Sequence, residues 1–209
     1  MMSLAALAGG AAISVEGNEA SGEQVEAARA AVAEFEAALA AHASCIGGAS
    51  VSFVAIGNRG EYRPDLAAVW LDTDLAVSAI RLTLIHELAH HATIYCGAIS
   101  DPGFTAAFYQ AQGLPLGRGW VDYSHGWAAT PIEQLAEAVT KAITGGQNKP
   151  VPITPEGLAV VSAWMAGEPL PLLSPVVGVQ APPAVSASPP RVHRSIPAIL
   201  GWGRRPSAF

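Results

Sequence analysis

The sequence predicts a single α+β domain followed by a Pro-rich tail. Apolar residues recur at helical spacing over 21–43, 75–95 and 130–146. Two short β-branched and aromatic runs, 51–57 and 67–72, lie between the first two of these stretches, and the composition changes after Glu168. At 209 residues with 51% hydrophobic and 13% charged content, the chain can bury an ordinary core. A formal net charge of -6 argues against a general nucleic-acid binder, which would carry a basic surface.

The opening "MMSLAALAGGAAISV" has no charged side chain. It lacks the basic start of a signal peptide and is too short and Gly/Ala-rich for a membrane span, so residues 1–20 read as a flexible segment. The expected location is then cytoplasmic or phage-encoded. In "SGEQVEAARAAVAEFEAALAAHA", Ser21 and Gln24 form a capping box before Val25, Ala28, Val32, Phe35 and Leu39, which share one helical face. "VSFVAIG" and the shorter "AAVWLD" read as strands, the second a candidate edge for an extended substrate. A helix from about Leu75 to Tyr95 is stopped by "GAISDPG", and a short helix is expected after it. Thr130 caps the next helix, with Pro131 in its first turn and Gly145-Gly146 at its end; "TPEGLAVVSAWMAG" adds a last short one.

The folded domain is therefore expected over 21–168. Between Pro169 and Pro206 lie nine of the sixteen prolines, together with Arg191, Arg194, Arg204 and Arg205. That composition predicts an extended tail over 169–209, with "IPAILGWGRR" apolar enough to dock on a partner. Seven prolines interrupt its uncharged stretch up to Pro190, which excludes a membrane helix.

Chemistry concentrates in "LIHELAHHATIYC", residues 84–96. His86 and His90, four apart on a helix, lie one turn above the other and can aim two imidazole nitrogens at one ion, with Glu87 beside them as a proton acceptor for water. Zinc is the expected cofactor, and a third ligand is needed. Cys96 would require a glycine at position 93 to break the helix, and Thr93 stands there, so Cys96 reads as a buried thiol or a partner of Cys45. Asp101, in a Pro-Gly turn, is a weak candidate. Glu133 and Glu137 are better: one turn apart in "TPIEQLAEAV", one could bind the metal while the other accepts the N–H of a ligating histidine. Glu133 could instead close a capping box onto Thr130, and spacing alone does not separate the two.

An HExxH helix followed some forty residues later by "EQLAEAV" resembles the gluzincin zinc metallopeptidases, most of all the lethal-factor-like and Pro-Pro endopeptidase branch, over roughly residues 67–145. The resemblance implies a zincin-like fold with Zn²⁺ on His86, His90 and Glu133, Glu137 supporting a histidine, and Glu87 as general base. It also implies an oxyanion donor before the second glutamate helix, for which "VDYSHGW" offers Tyr123 and His125. His91 points to another face and reads as packing or support for the site. The expected activity is zinc-dependent cleavage of peptide bonds in a peptide or protein substrate. The alternatives are a zincin-fold binding or assembly protein without turnover, and a phage-type peptidoglycan peptidase.

Overall fold

A computed structural model describes residues 12–17 and 19–171. Most of the expected tail, including "IPAILGWGRR", and the start of the N-terminal segment lie outside the described residues. The order of elements is β1 (Ser14–Glu16), α1 (Gly22–Ala38), β2 (Ser50–Phe53), β3 (Gly60–Arg63), β4 (Ala68–Leu71), α2 (Val77–Tyr95), α3 (Pro102–Gln112), α4 (Pro131–Thr144) and α5 (Pro155–Ala166). The described residues are thus mixed α and β, as expected.

The four strands form one sheet in the order β1-β2-β4-β3. β1, β2 and β4 run parallel, while β3 is antiparallel to β4 and stands at the edge. Two expectations are corrected here. The segment before residue 21 is not wholly flexible, because Ser14–Glu16 pairs in register with Ser50–Ser52. The strand "AAVWLD" is not an edge either: β4 is flanked on both sides, and the edge strands are β1 and β3, the latter with a "GEYR" that carries too little β-branched content to announce itself.

Alternation decides which face of the sheet is buried. Val51, Phe53, Tyr62, Val69 and Leu71 are buried on one side. On the other, Ser52, Glu61, Arg63 and Trp70 are only half-buried, with the Arg63 guanidinium 4.7 Å above the Trp70 ring. α1 and α2 pack together, α1 touches β1, and α2 touches β3 and β4. α4 packs on α2, and α5 closes the core against α3 and α4. Leu170 still packs on that core, so the folded part runs slightly past the expected boundary at Glu168.

Local chemistry explains the start of α1 and α3. Ser21 Oγ accepts from the Gln24 N–H, and Gln24 Oε1 accepts from the Ser21 N–H, the expected capping box. The Gln24 amide also donates to the Thr73 and Leu75 carbonyls, which fastens α1 to the approach of α2. Asp101 is the N-cap of α3, accepting from the Gly103 and Phe104 N–H groups, and not a metal ligand. Cys45 and Cys96 are joined in a disulfide, which ties the turn after α1 to the C-terminal end of α2.

Candidate metal centre

α2 is buried over nearly its whole second half, from Thr83 to Thr93. A helix apolar on most sides can place polar side chains in the interior only where partners exist for them. For His86 and His90 those partners come from α4. Glu133 Oε2 lies 3.3 Å from His86 Nε2 and 3.4 Å from His90 Nε2, and one ligand atom of each residue falls within 4.8 Å of the others. The two imidazole rings are perpendicular, with centroids 4.9 Å apart.

Those separations can be compared with two arrangements. Charge-assisted N–H···O bonds are short, about 2.7–2.9 Å. In a tetrahedral zinc site with bonds of about 2.0–2.1 Å, neighbouring ligand atoms stand about 3.3–3.4 Å apart. The 3.3 and 3.4 Å separations are longer than a tight ion pair and compatible with two edges of such a tetrahedron. Two imidazoles and a carboxylate are also the donor set that zinc takes in hydrolytic sites.

Behind these three residues, Glu137 is fully buried and accepts from the Asn148 N–H and the Lys149 N–H, both at 2.9 Å. His86 Nδ1 approaches Glu137 Oε1 to 3.2 Å without good hydrogen-bond geometry, and it is otherwise without a partner. An N–H at Nδ1 facing that carboxylate leaves the Nε2 lone pair directed at Glu133 and His90. Glu133 and Glu137 therefore separate by environment: Glu133 faces both histidines, whereas Glu137 is consumed by one histidine and a loop.

The capping-box reading of Glu133 does not hold. Thr130 stands at the N-cap position of α4 but makes no side-chain cap; its hydroxyl donates to the Gly126 carbonyl. Placement in the first turn of α4 still favours a negative Glu133, because the exposed N–H groups there carry partial positive charge.

Electrostatics reflect the coupling of the three groups. Burial is the largest influence on His86 and opposes its charge. The contacts with Glu133 and Glu137, with the charges of Glu87 and Glu137, outweigh it and push His86 up to about 10. Burial likewise acts most strongly on Glu133 and would raise it, but His90 and His86 together hold its carboxyl far below the usual carboxylate range. Bringing a dication to this spot would replace the histidine proton as the charge that compensates Glu133.

Glu87 points toward the sheet edge. A Cβ placed on Gly60 would lie 3.2 Å from Glu87 Cγ, 3.4 Å from Glu87 Oε1 and 2.7 Å from Thr83 Cγ2. Only a glycine at the start of β3 lets that edge come so close to α2. Glu87 and His90 each keep 8% of their surface exposed, against none for Glu137 and His91, so the opening of the site lies on the Glu87–His90 side.

Of the two residues expected as oxyanion donors, the structure brings in one. The Tyr123 hydroxyl donates to Glu133 Oε1 at 2.6 Å, on the oxygen turned away from the histidines. His125 is exposed and its Nδ1 meets Ser124 Oγ at 3.0 Å, so it is not gathered into the cluster. His91, expected as packing or support, is packing: it is fully buried, Nε2–H donates to the Ile46 carbonyl and Nδ1 accepts from the Tyr62 hydroxyl, both at 3.1 Å. Burial holds His91 below the usual histidine value.

A second cluster, His42 with Cys45 and Cys96, offers no thiolate because its sulfurs are bonded to each other. Sequence reading missed Trp127, whose ring stands 5.8 Å from that of His86, the Asn148–Lys149 amides on Glu137, and Gly60. A tryptophan and a glycine near the motifs were the available signals, but neither has a spacing rule to single it out. No protein-family model, no curated protein and no solved structure matches the chain.

Proposed function

We propose that this chain is a zinc metallopeptidase of the gluzincin type, hydrolysing peptide bonds within a peptide or protein substrate. The observation that supports it most is the pair of separations at the site, 3.3 and 3.4 Å between Glu133 Oε2 and the two histidine Nε2 atoms, on the helix that also carries Glu87. His86, His90 and Glu133 would hold the ion, and when bound it would polarise the scissile carbonyl and acidify water.

The chain's own residues supply the rest. Glu87 accepts the proton of the attacking water on its carboxylate, retains it beside the reacting centre and passes it to the departing amine nitrogen. It is suited to that task because it makes no hydrogen bond to another described residue and keeps an opening to solvent. Glu137 orients His86 through Nδ1 and is itself fixed by two backbone amides. Tyr123 holds the outer oxygen of Glu133, and release of that bond would free its hydroxyl to face the developing oxyanion. The free edge of β3, beside Glu87, is where an extended substrate backbone would pair.

The Cys45–Cys96 disulfide further supports action in an oxidising compartment, in place of the cytoplasmic location expected from the sequence.

Zinc analysis and a peptide-library digest of wild type and Glu87→Gln test the reading together. Expected are about one zinc per chain in both proteins and a loss of about 10²–10⁴-fold in cleavage rate for Glu87→Gln. Wild-type protein that retains no zinc, or a Glu87→Gln variant with undiminished turnover, would overturn it.

A further inference from the structure

Beside the site stand two cations that meet no carboxylate among the described residues. Most arginines of the described residues meet a carboxylate: Arg29 with Glu26, Arg63 with Glu61 and Asp65, Arg81 with Glu34, Arg118 with Asp122. Arg59 and Lys149 meet none among the described residues, although the chain is acidic overall at -6. Both are exposed, and both converge on one segment. Arg59 Nη1 donates to the Asn148 carbonyl at 3.3 Å, and the next residue is Lys149 itself.

That segment is anchored. The Asn148 and Lys149 N–H groups are held by buried Glu137, and Asn148 Oδ1 accepts from Thr83 on α2 at 3.1 Å. The Lys149 ammonium stands 4.6 Å from the centre of the Trp127 ring, whose own centre is 5.8 Å from that of His86. The ammonium is therefore within about 10 Å of the His86 ring, a span of about three residues of extended peptide. On its other flank Arg59 immediately precedes Gly60, which lies against Glu87. Two cations, one set on an aromatic face, thus flank the site without a carboxylate partner among the described residues.

We propose that Arg59 and Lys149 form a carboxylate-binding subsite that gives the enzyme a preference for substrates with a carboxylate within three residues of the cleaved bond. The inference rests on the metallopeptidase reading of the adjacent site. The carboxylate could belong to an Asp or Glu side chain or to the peptide C-terminus. In both cases the attraction is charge-assisted hydrogen bonding at a partly solvated rim, which is modest in energy and weakened by salt.

The test is calorimetric titration of the zinc-loaded full chain with matched peptide hydroxamates. One pair differs only in Glu against Gln beside the hydroxamate, and a second pair only in a free against an amidated C-terminus. The carboxylate member of at least one pair should bind about threefold to tenfold more tightly at low salt, and the pair that responds identifies the source. Lys149→Glu and Arg59→Glu should remove or invert that ratio, and Lys149→Ala should lower it. Lys149 substitutions keep the backbone amide on Glu137, and melting curves with zinc confirm the fold of each variant. Hydroxamates that bind equally well with and without the carboxylate, or a ratio untouched in both charge reversals, would overturn the subsite alone. A chain that holds no zinc, or binds no hydroxamate, would overturn the metallopeptidase reading and the subsite with it.

Discussion

Replacing Glu137 separates the two roles assigned to the glutamates of α4. The carboxylate has no exposed surface and faces three donors: the Asn148 and Lys149 amides at 2.9 Å and His86 Nδ1 at 3.2 Å. Glu137→Ala leaves those donors without an acceptor, at about 1–3 kcal/mol for each that water cannot reach. Asn148 is half-buried and Lys149 exposed, so water can satisfy part of this, and a loss of about 2–4 kcal/mol in stability is expected. His86 also loses the group that fixes its ring, which should weaken zinc by about 10–100-fold, equivalent to about 1.4–2.7 kcal/mol. Glu133→Ala removes a proposed ligand and should abolish stoichiometric zinc, and in the metal-free fold it also leaves His86 and His90 without the anion between them. Competition with a zinc indicator gives the affinities, and melting curves with and without zinc give the stabilities. If Glu133→Ala keeps zinc at wild-type affinity while Glu137→Ala loses it, the ligand assignment is inverted and the tetrahedron-edge argument fails.

Two further outcomes follow from the same coordinates. In the metal-free protein the raised value of His86 means that its stabilising charge is fully present below its unfolded value near 6.5 and is lost as pH rises through about 10. Zinc binds the neutral ring, so the rise in Tm on adding zinc should grow from pH 6.5 to 8.5; a rise that shrinks over that window would contradict the coupling. Reduction of the Cys45–Cys96 bridge reopens a loop with a sequence separation of 51, worth at most about 4 kcal/mol of chain entropy. For a domain of this size Tm should fall in a reducing buffer, by at most about 8–16 °C, and an unchanged Tm would show that the bridge does not constrain the fold.

What could be read from the sequence, and what could not, divides along local against non-local information. The helices bearing His86 and Glu133 announce themselves through apolar spacing and end signals, because those depend on neighbours within a turn or two. Ser21 and Gln24 made their capping box for the same reason. β1 and β3 are not legible in the sequence because each is three or four residues long and takes its structure from a partner elsewhere: Ser14–Glu16 from β2, and Gly60–Arg63 from β4. Hydrophobicity alone therefore points to the wrong strand for the cleft edge, because the more hydrophobic strand is the one a sheet buries.

The site shows the same division more sharply. T-P-I-E satisfies the local capping rule, yet Thr130 donates away from the helix and Glu133 turns to α2. A cap is worth about 1 kcal/mol. Leaving two buried imidazoles facing each other with no anion between them would cost several times that, so the tertiary partner wins. The converse holds for Glu137, which is buried because the 147–149 segment folds back to offer it two amides. That loop lies eleven and twelve residues beyond Glu137, too far for any helical spacing rule to connect them. Once it returns, it brings Lys149 to the mouth of the site, so one backbone anchor orients a histidine on its inner side and sets a cation on its outer side.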